Sequence, residues 1–285
     1  MKYKIHFRQK SLDLSTPKIM GVLNVTPDSF SDGGCFNNVD NALRHADEMM
    51  AWGVDIIDIG GESTRPNAPA IDTDTELDRV IPIIDALRQH LGNDIWLSID
   101  TSNPIVMYEG IKSGADMIND VRGLRQDGAS KMAAQLDCPV VIMHSRGEPD
   151  TMNDLADYDD VVNEVMSELD QSIKNALHIG VRKENIIIDV GMGFAKNYKH
   201  HVALMKQLDK FMAHFHLPML FGVSRKRFLG EILNQFDQLH GHHPTKRDMI
   251  GAVAHLLAIQ QGVSIVRVHD VAKMRQALAM WQALQ

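Results

Sequence analysis

The chain has 285 residues, of which 44% are hydrophobic and 23% charged, and its formal net charge is −8. This composition is typical of a soluble globular protein, and the length suits one large α/β domain or two small ones. The acidic balance argues against a nucleic-acid-binding protein, because such proteins usually carry a basic face.

The sequence predicts neither secretion nor a membrane span. The opening segment MKYKIHFRQK is charged with no apolar core after it, and no apolar run approaches the roughly 20 residues that span a bilayer. Cys35 and Cys138 lack metal-ligand spacing, and together with 17 methionines they favour a reducing compartment. We therefore predict a cytoplasmic protein that binds neither nucleic acid nor membrane.

The first predicted element is a strand followed by a long loop. In residues 19–34, IMGVLNVTPDSFSDGG, Met20, Val22 and Asn24 alternate onto one face of a strand. The chain then breaks at Thr-Pro-Asp and continues as a Gly-, Ser- and Asp-rich loop that carries Phe30 and Asp32. A loop of this length after a buried strand is usually a lid or a binding loop.

Apolar strands and amphipathic helices alternate along the rest of the chain. After the first, the predicted strands are 54–60, 95–100, 117–120, 139–144, 185–190, 218–222 and 264–268. The predicted helices are 39–52, 75–90, 104–113, 128–136, 160–178, 199–214, 225–233, 247–261 and 271–284. Eight near-continuous apolar strands, each followed by a helical segment, predict a (β/α)₈ TIM barrel with residues 1–285 as a single domain. An open doubly wound sheet usually has fewer strands and a glycine-rich fingerprint after the first one, which is missing here.

Polar residues follow each apolar run where the strand ends. They are Asn24, Asp58, Asp100, Asn119, Asp120, His144, Asp189, Ser224, Arg225, Lys226, Arg267, His269 and Asp270. In a parallel barrel all strand C-termini meet at one rim, which is where active sites lie. The alternative for any one of them is a helix N-cap, which suits Asp120 and Asp270 but does not explain eight polar strand ends together.

Two groups of these residues predict different ligand features. Arg267 and His269 leave the same face of the last strand, next to the start of the last helix, which favours a phosphate site. Asp100 and Asp189 with Asn119 suit a neutral ring that bears adjacent N–H donors, such as a 2-amino-4-oxo pyrimidine edge. Lys226, at a strand exit, would supply a donor to the ring carbonyl.

Three rival interpretations are weaker. A class I aldolase would need its Schiff-base lysine buried on the strand, whereas Lys226 lies beyond it between two arginines. A dinucleotide site at Gly191 and Gly193 fails because Lys196 stands where the third glycine belongs. The paired histidines at 200–201, 214/216 and 242–243 lack a carboxylate or cysteine framework, so we predict surface residues rather than a metal site.

Eight segments together resemble the dihydropteroate synthases over essentially the whole chain. They are MGVLNVTPDSFSDGG, DIGGESTRP, SIDTS, INDV, MH, IIIDVGMGFAK, GVSRKRFLG and RVHDV. The resemblance implies a (β/α)₈ barrel that condenses 6-hydroxymethyl-7,8-dihydropterin pyrophosphate with p-aminobenzoate. It further implies sulfonamide competition, a homodimer formed through barrel helices, and Mg²⁺ with Asn24 as a protein ligand.

The resemblance also assigns roles to individual residues. Asp100, Asn119, Asp189, Lys226 and Met143 resemble the pterin pocket, whereas Arg267 and His269 with Asn24 resemble the pyrophosphate and metal set. Two closing loops are represented by Phe30 and Asp32, and by Thr64, Arg65 and Pro66. The p-aminobenzoate pocket is represented by Phe194, Ser224 and Lys226 with Pro66 and Phe30. Asp100, Asp189, Lys226 and Asp32 are the residues that we expect to be catalytic.

The departures from the family pattern are few. Val190, Met192 and Ala195 stand in DVGMGFAK where the family usually has Pro, Phe and Gly. Two alternatives remain at this point: a related pterin-binding methyltransferase-type barrel, and a non-catalytic paralogue.

Overall fold

A computed structural model describes residues 3–26, 35–63, 68, 70–236 and 243–285, with residues 35–38 described in their backbone only. The chain opens with an antiparallel hairpin, β1 (Lys4–Phe7) and β2 (Lys10–Asp13). The remaining strands are β3 (Lys18–Asn24), β4 (Ile56–Gly60), β5 (Trp96–Asp100), β6 (Met117–Asp120), β7 (Val140–Met143), β8 (Ile186–Asp189), β9 (Leu220–Phe221) and β10 (Ile265–Val268).

Helices follow every strand from β3 onward. They are α1 (Cys35–Ala51), α2 (Thr73–Leu91), α3 (Pro104–Ser113), α4 (Ala129–Leu136), α5 (Val161–Ile179), α6 (Tyr198–Met205), α7 (Leu208–Phe215), α8 (Arg227–Leu233), α9 (Asp248–Gln260) and α10 (Val271–Gln282). The helix ends follow ordinary capping chemistry. The Asp160 carboxylate accepts from the first backbone N–H groups of α5, and Gly180 ends that helix with φ of 113°.

The eight strands β3–β10 form a parallel barrel, which confirms the predicted fold class. Neighbouring strands pair in the order β8-β7-β6-β5-β4-β3-β10-β9, and every pairing is parallel. The ring is completed by a parallel bridge between Ile188 and Met219, where the Ile188 N–H donates to the Pro218 carbonyl over 3.0 Å. All eight strand C-termini therefore meet at one rim.

The N-terminal hairpin is a correction to the predicted elements. Ile5, Leu12 and Leu14 are buried in one cluster with the inward side chains that begin the barrel strands, such as Met20 and Trp96. The hairpin thus closes the barrel at the end opposite the polar rim. Its strands have four residues each, so their period-two signal is too short to stand out from the charged residues around it.

The predicted helix 199–214 is also wrong, because it is two helices, α6 and α7. The Gln261 side chain enters the break between them: its Nε2 donates to the Met205 carbonyl at 2.8 Å and its Oε1 accepts from the Leu208 N–H at 3.0 Å. A side chain inserted in this way replaces the missing helical hydrogen bonds, so the break leaves these backbone groups satisfied.

Candidate active site

A polar layer lies inside the barrel directly below the rim. Asp58 is fully buried, and its Oδ2 accepts from Arg267 Nε at 2.7 Å and from Asn119 Nδ2 at 3.0 Å. The Arg267 Nη2 also donates to Asp100 Oδ2 at 2.8 Å. Three predicted site residues from β5, β6 and β10 are thus brought together around a fourth residue, Asp58, to which we had assigned no role.

Burial raises the pKa of Asp100 in this layer. The pKa of Asp100 is raised to about 7, because burial and the nearby charges of Asp58, Glu76 and Asp120 outweigh the attraction of Arg267. Arg267 is paired with two carboxylates through Nε and Nη2, and its assignment to phosphate stays a prediction.

Asp189 forms a second acidic position at the end of β8. Its Oδ1 accepts from the Gly191 N–H at 2.7 Å, and burial raises its pKa to about 6 against the opposing effects of that hydrogen bond, Lys226 and Lys196. Gly191 has φ of +68°, and a Cβ there would lie 1.7 Å from the His144 carbonyl oxygen. Only glycine fits this turn, which aims an N–H at the carboxylate.

Lys226 lies at the strand exit and directly precedes α8, whereas the predicted helix began at Arg225 and included it. Its ammonium faces the Phe194 ring with 4.3 Å between Nζ and the ring centroid. Burial and the charge of Arg267 lower the pKa of Lys226 to about 8, although Asp189 and Asp100 oppose this. Gly193 makes room for the lysine, because a Cβ there would lie 2.7 Å from the Lys226 Cδ. Lys226 is thus adjacent to both Asp189 and the aromatic residue predicted for the p-aminobenzoate pocket.

Ser224 and His269 are neighbours beyond the ends of β9 and β10. The Ser224 Oγ accepts from the His269 backbone N–H at 3.1 Å and lies 3.0 Å from His269 Nδ1. Their pairing places a residue predicted for the p-aminobenzoate pocket beside one predicted for pyrophosphate.

Asn24 lies at the end of β3, half-buried beside Gly60 and Asp100. A Cβ built on Gly60 would lie 3.7 Å from Asn24 Oδ1 and 3.6 Å from Asp100 Oδ2, so both oxygens border the same small gap. Among the described residues no cluster of three His, Cys, Asp or Glu side chains could hold a metal ion. An amide oxygen beside a carboxylate oxygen is a donor set that suits Mg²⁺, which usually takes few protein oxygens and completes its shell with water and phosphate. Asn24 as its ligand stays a prediction.

Met143 lies in a small apolar cluster with Met152, Phe194 and Ala195, next to Val121. Met143 and Phe194 are both almost fully buried. Met143 is the register partner of Asp189 across β7 and β8, so this apolar cluster lies beside the acidic end of β8. The remaining predicted residues, Phe30, Asp32, Thr64, Arg65 and Pro66, lie outside the described part of the chain.

A chain of hydrogen bonds behind the 191–196 turn was missed by the sequence analysis. The Lys196 Nζ donates to the Phe194 carbonyl at 3.0 Å and lies 2.8 Å from His144 Nδ1, while His144 Nε2 lies 3.0 Å from Glu168. Burial is the main reason that the pKa of Lys196 falls to about 7. The available signal was a lysine three residues after the Gly-Met-Gly turn, which we had used only to exclude a dinucleotide site.

Two expectations for individual residues are wrong. His201 is buried rather than on the surface: its Nε2 accepts from the Gly193 N–H at 2.8 Å and its ring stacks on Phe228. Asp120 is not a helix N-cap, because it accepts from the Arg122 and Leu124 N–H groups of a turn well before α4. Asp270, by contrast, caps α10 through the Lys273 N–H, as predicted.

Comparison with known proteins finds relatives over the full length. The family model of pterin binding enzymes matches residues 20–269. The dihydropteroate synthase of Haemophilus influenzae is 43% identical over 281 residues, which is 98% of each chain.

Solved structures agree in fold and length. The dihydropteroate synthase of Xanthomonas albilineans, solved with 4-aminobenzoic acid, superposes with a TM-score of 0.91 at 42% identity, covering 100% of this chain and 99% of that one. The same enzyme has been solved in complex with 7,8-dihydropteroate, with a TM-score of 0.87 at 40% identity over 99% of this chain and 98% of that one. The Yersinia pestis enzyme with a sulfonamide drug gives a TM-score of 0.90 at 42% identity over 99% and 98%.

Proposed function

The chain belongs to the dihydropteroate synthase family of pterin-binding enzymes, and from this premise we propose how its own residues carry out the transfer. The substrates are 6-hydroxymethyl-7,8-dihydropterin pyrophosphate and p-aminobenzoate, and the products are 7,8-dihydropteroate and pyrophosphate. The observation that carries the proposal is the convergence of Asp100, Asn119, Asp189, Lys226 and Arg267 on one cup at the carboxyl rim of the barrel.

The acidic side of the cup would bind the pterin. Asp189 and Asp100 offer carboxylate oxygens to the amino group and ring N–H donors of the heterocycle, and the Asn119 carboxamide supplements them. Lys226, whose charge interacts with both carboxylates, would donate to the ring carbonyl. Met143 would provide an apolar wall for the ring.

The basic side would bind the leaving group. Arg267 Nε and Nη2 are engaged with Asp58 and Asp100, so we assign its third nitrogen, Nη1, to the pyrophosphate, together with His269. Loss of such a charge-assisted hydrogen bond typically costs about 1.5–3 kcal/mol. A Mg²⁺ ion held through Asn24 would supply positive charge to the phosphate oxygens.

The reaction breaks the bond between the pterin methylene and the pyrophosphate oxygen and forms a bond from that carbon to the amine nitrogen of p-aminobenzoate. Positive charge develops on the pterin as the bond breaks, and the carboxylates of Asp100 and Asp189 stabilise it without moving. The bonding electrons leave with pyrophosphate, and the amine then loses one proton to solvent. Phe194, Ser224 and Lys226 would hold p-aminobenzoate in line, with Phe30, Asp32, Thr64, Arg65 and Pro66 closing over it. A sulfonamide would compete in the same pocket.

A homodimer fits the surface of α9. Met249, Val253 and Leu257 follow at helical spacing and are 64%, 50% and 50% exposed. A stripe of large apolar side chains exposed on the outer face of a helix is an unfavourable surface in water, and a second copy of the same face would cover it.

The cytoplasm is the proposed location. Cys138 is a buried thiol whose pKa is raised to about 12 by burial, so it is unreactive in place. No helix within the described ranges has the length and apolar character needed to cross a bilayer.

A pyrophosphate-release assay tests the proposed function. With the pterin pyrophosphate and Mg²⁺ present, release should depend on p-aminobenzoate and match dihydropteroate formation one for one. Slow release without p-aminobenzoate is consistent with cleavage that precedes attack. Failure to form dihydropteroate would contradict the proposal and return the non-catalytic paralogue or the methyltransferase-type barrel to consideration.

A further inference from the structure

Asp58 occupies an unusual place in the barrel. It lies in the middle of the apolar strand Ile-Ile-Asp-Ile-Gly, side by side with Val22 on one neighbouring strand and Ser98 on the other, and its exposed fraction is 0%. A buried carboxylate is unfavourable unless cations and N–H donors compensate for the lost water. Its burial therefore calls for a role that an apolar residue in the same layer could not fill.

A single oxygen of Asp58 makes both of its contacts. Its Oδ2 accepts from Arg267 Nε at 2.7 Å and from Asn119 Nδ2 at 3.0 Å. The other oxygen, Oδ1, has no hydrogen-bond partner among the described residues. Because β10 and β6 each lie two strands from β4, the carboxylate ties together side chains from separate parts of the barrel wall.

These contacts fix the orientation of the Asn119 amide and of the Arg267 guanidinium group. An ionised carboxylate can only accept hydrogen bonds, so the Asn119 amide must turn its NH₂ toward Asp58 and its carbonyl oxygen elsewhere. The Arg267 guanidinium is fixed in the same way by two carboxylates, Nε on Asp58 and Nη2 on Asp100. With Nε and Nη2 both held, the plane of the guanidinium group is fixed, and so is the direction in which Nη1 points.

We propose that Asp58 is a positioning residue for the pterin site: it sets the amide orientation of Asn119 and the plane of Arg267, and it makes no contact with substrate. This inference rests on the proposed assignment of Asn119 and Arg267 to the substrate. Its effect would be on recognition, because a flipped Asn119 would present a donor where the heterocycle itself carries donors.

The charge of Asp58 also acts on Asp100. The charged groups that act on Asp100 are Arg267, Asp58, Glu76, Asp120 and Lys226. Asp58 is among the groups that raise the pKa of Asp100, whereas Arg267 lowers it. Neutralising Asp58 removes a negative charge that opposes ionisation of Asp100. Its loss lowers the pKa of Asp100 and extends pterin binding to lower pH.

Two substitutions separate the two effects. Asp58→Asn keeps an oxygen at the Oδ2 position and places its NH₂ at the unpartnered Oδ1 position, so it removes the charge and retains the acceptor. Asp58→Leu removes both. Ser98→Ala is the matched control, because Ser98 neighbours Asp58 on β5 and its buried Oγ has no hydrogen-bond partner among the described residues.

Calorimetry with 6-hydroxymethylpterin, which lacks the pyrophosphate, is the measurement. Asp58→Leu should weaken binding at least about tenfold at neutral pH, as expected for loss of oriented charge-assisted contacts. Asp58→Asn should stay within about threefold and shift the acid limb of its affinity to lower pH, while Ser98→Ala should change neither. This ligand has no pyrophosphate to contact Arg267, so the effect of Asp58 on its affinity passes through Asn119. In a double-mutant cycle, Asp58→Leu should therefore add little to Asn119→Ala.

Unchanged affinity in Asp58→Leu, or a loss in Asp58→Asn as large as the loss in Asp58→Leu, would overturn the positioning role. If Asp58→Leu does not fold, Asp58→Ala, which also removes the acceptor, is measured in its place. The proposed function fails in a different way: an Asn119→Ala variant with unchanged pterin affinity would contradict the pocket itself, whatever Asp58 does.

Discussion

At the scale of the residue, ionisation controls what the cup can bind. Its acids are harder to ionise than ordinary carboxyls, with the pKa of Asp189 raised to about 6 and that of Asp100 to about 7, chiefly by burial. Its lysine loses its proton more readily than usual, because burial lowers the pKa of Lys226 to about 8. The acceptors and the donor are therefore charged together only in a narrow window near neutral pH.

This predicts a bell-shaped pH dependence for pterin affinity. As pH falls through about 7 and 6, Asp100 and Asp189 take up protons and lose acceptor oxygens; as pH rises through about 8, Lys226 loses its donor charge. Calorimetry with 6-hydroxymethylpterin from about pH 5 to about pH 9 measures both limbs without interference from pyrophosphate ionisation. In Lys226→Met the enzyme's contribution to the alkaline limb should vanish, and any limb that persists belongs to the ring of the ligand. A flat profile in the wild-type chain would contradict the assignment.

At the scale of the element, the turn after β8 is the most constrained part of the site. It combines a left-handed Gly191, a left-handed Gly193 against Lys226, and the Lys196–His144 contact that holds the Phe194 carbonyl. The family departures at Val190, Met192 and Ala195 lie in this turn, yet all three side chains are buried and apolar. Val190 and Met192 pack into the main core and Ala195 into the cluster with Met143 and Phe194, and the Gly191 N–H still donates to Asp189.

Gly191→Ala should disrupt this turn more than strain alone would. Its Cβ would collide with the His144 carbonyl, so we expect a loss of at least about 3 kcal/mol in the free energy of unfolding, of which a left-handed alanine explains about 1–2 kcal/mol. Gly180→Ala is the matched control: φ is also positive, at 113°, but the nearest atom would be 3.9 Å away. Urea unfolding of both variants measures the difference. Equal losses would mean that the contact with His144 is easily relieved.

The arrangement of strands and helices also explains which parts of the site could be predicted from the sequence. Polar residues at strand ends were predicted to converge because parallel strands share one rim, and Asp100, Asn119, Asp189, Lys226 and Arg267 do so. The role of Asp58 was missed because its partner Arg267 is 209 residues away in the sequence, and no local pattern contains such a contact. The break between α6 and α7 was missed for the same reason, since the inserted side chain comes from the far end of α9.

At the scale of the whole molecule, chemistry and support occupy opposite ends of the barrel. The N-terminal hairpin is held to the bottom by Asp116, whose Oδ2 accepts from Lys10 Nζ and from Arg88 Nη2 at 2.6 Å each and from the Leu97 N–H at 2.9 Å. Lys10 also donates to the Ile95 carbonyl at 2.6 Å. A buried carboxylate between two cations is a structural clamp, and it leaves the rim free for substrate.

Asp116→Ala should destabilise the fold without altering ligand recognition. Removal of the carboxylate leaves the Lys10 and Arg88 charges half-buried and uncompensated, and breaking such a pair typically costs about 3–5 kcal/mol. Asp85→Ala, an exposed position on α2, serves as the control and should change stability little. Thermal or urea unfolding gives the stability, and pterin affinity of the folded variant should match the parent. A large change in that affinity would contradict the separation of support from chemistry.

The proposed homodimer is also a property of the whole molecule. Val253→Glu places a charge in the centre of the exposed apolar stripe of α9 and should convert a dimer to a monomer in light scattering with size-exclusion chromatography. Leu177→Glu, on the exposed side of α5, is the control and should remain dimeric. A dimer that persists in Val253→Glu would place the interface elsewhere.

The central claim is that the acidic side of the cup recognises the heterocycle, and Asp189→Asn tests it most directly. This variant retains the side-chain shape and loses the charge that faces the ring. Calorimetry should show a loss of pterin pyrophosphate affinity of about tenfold or more, corresponding to about 1.4 kcal/mol or more, with p-aminobenzoate affinity little changed. Equal losses for both ligands, or none for the pterin, would contradict the account.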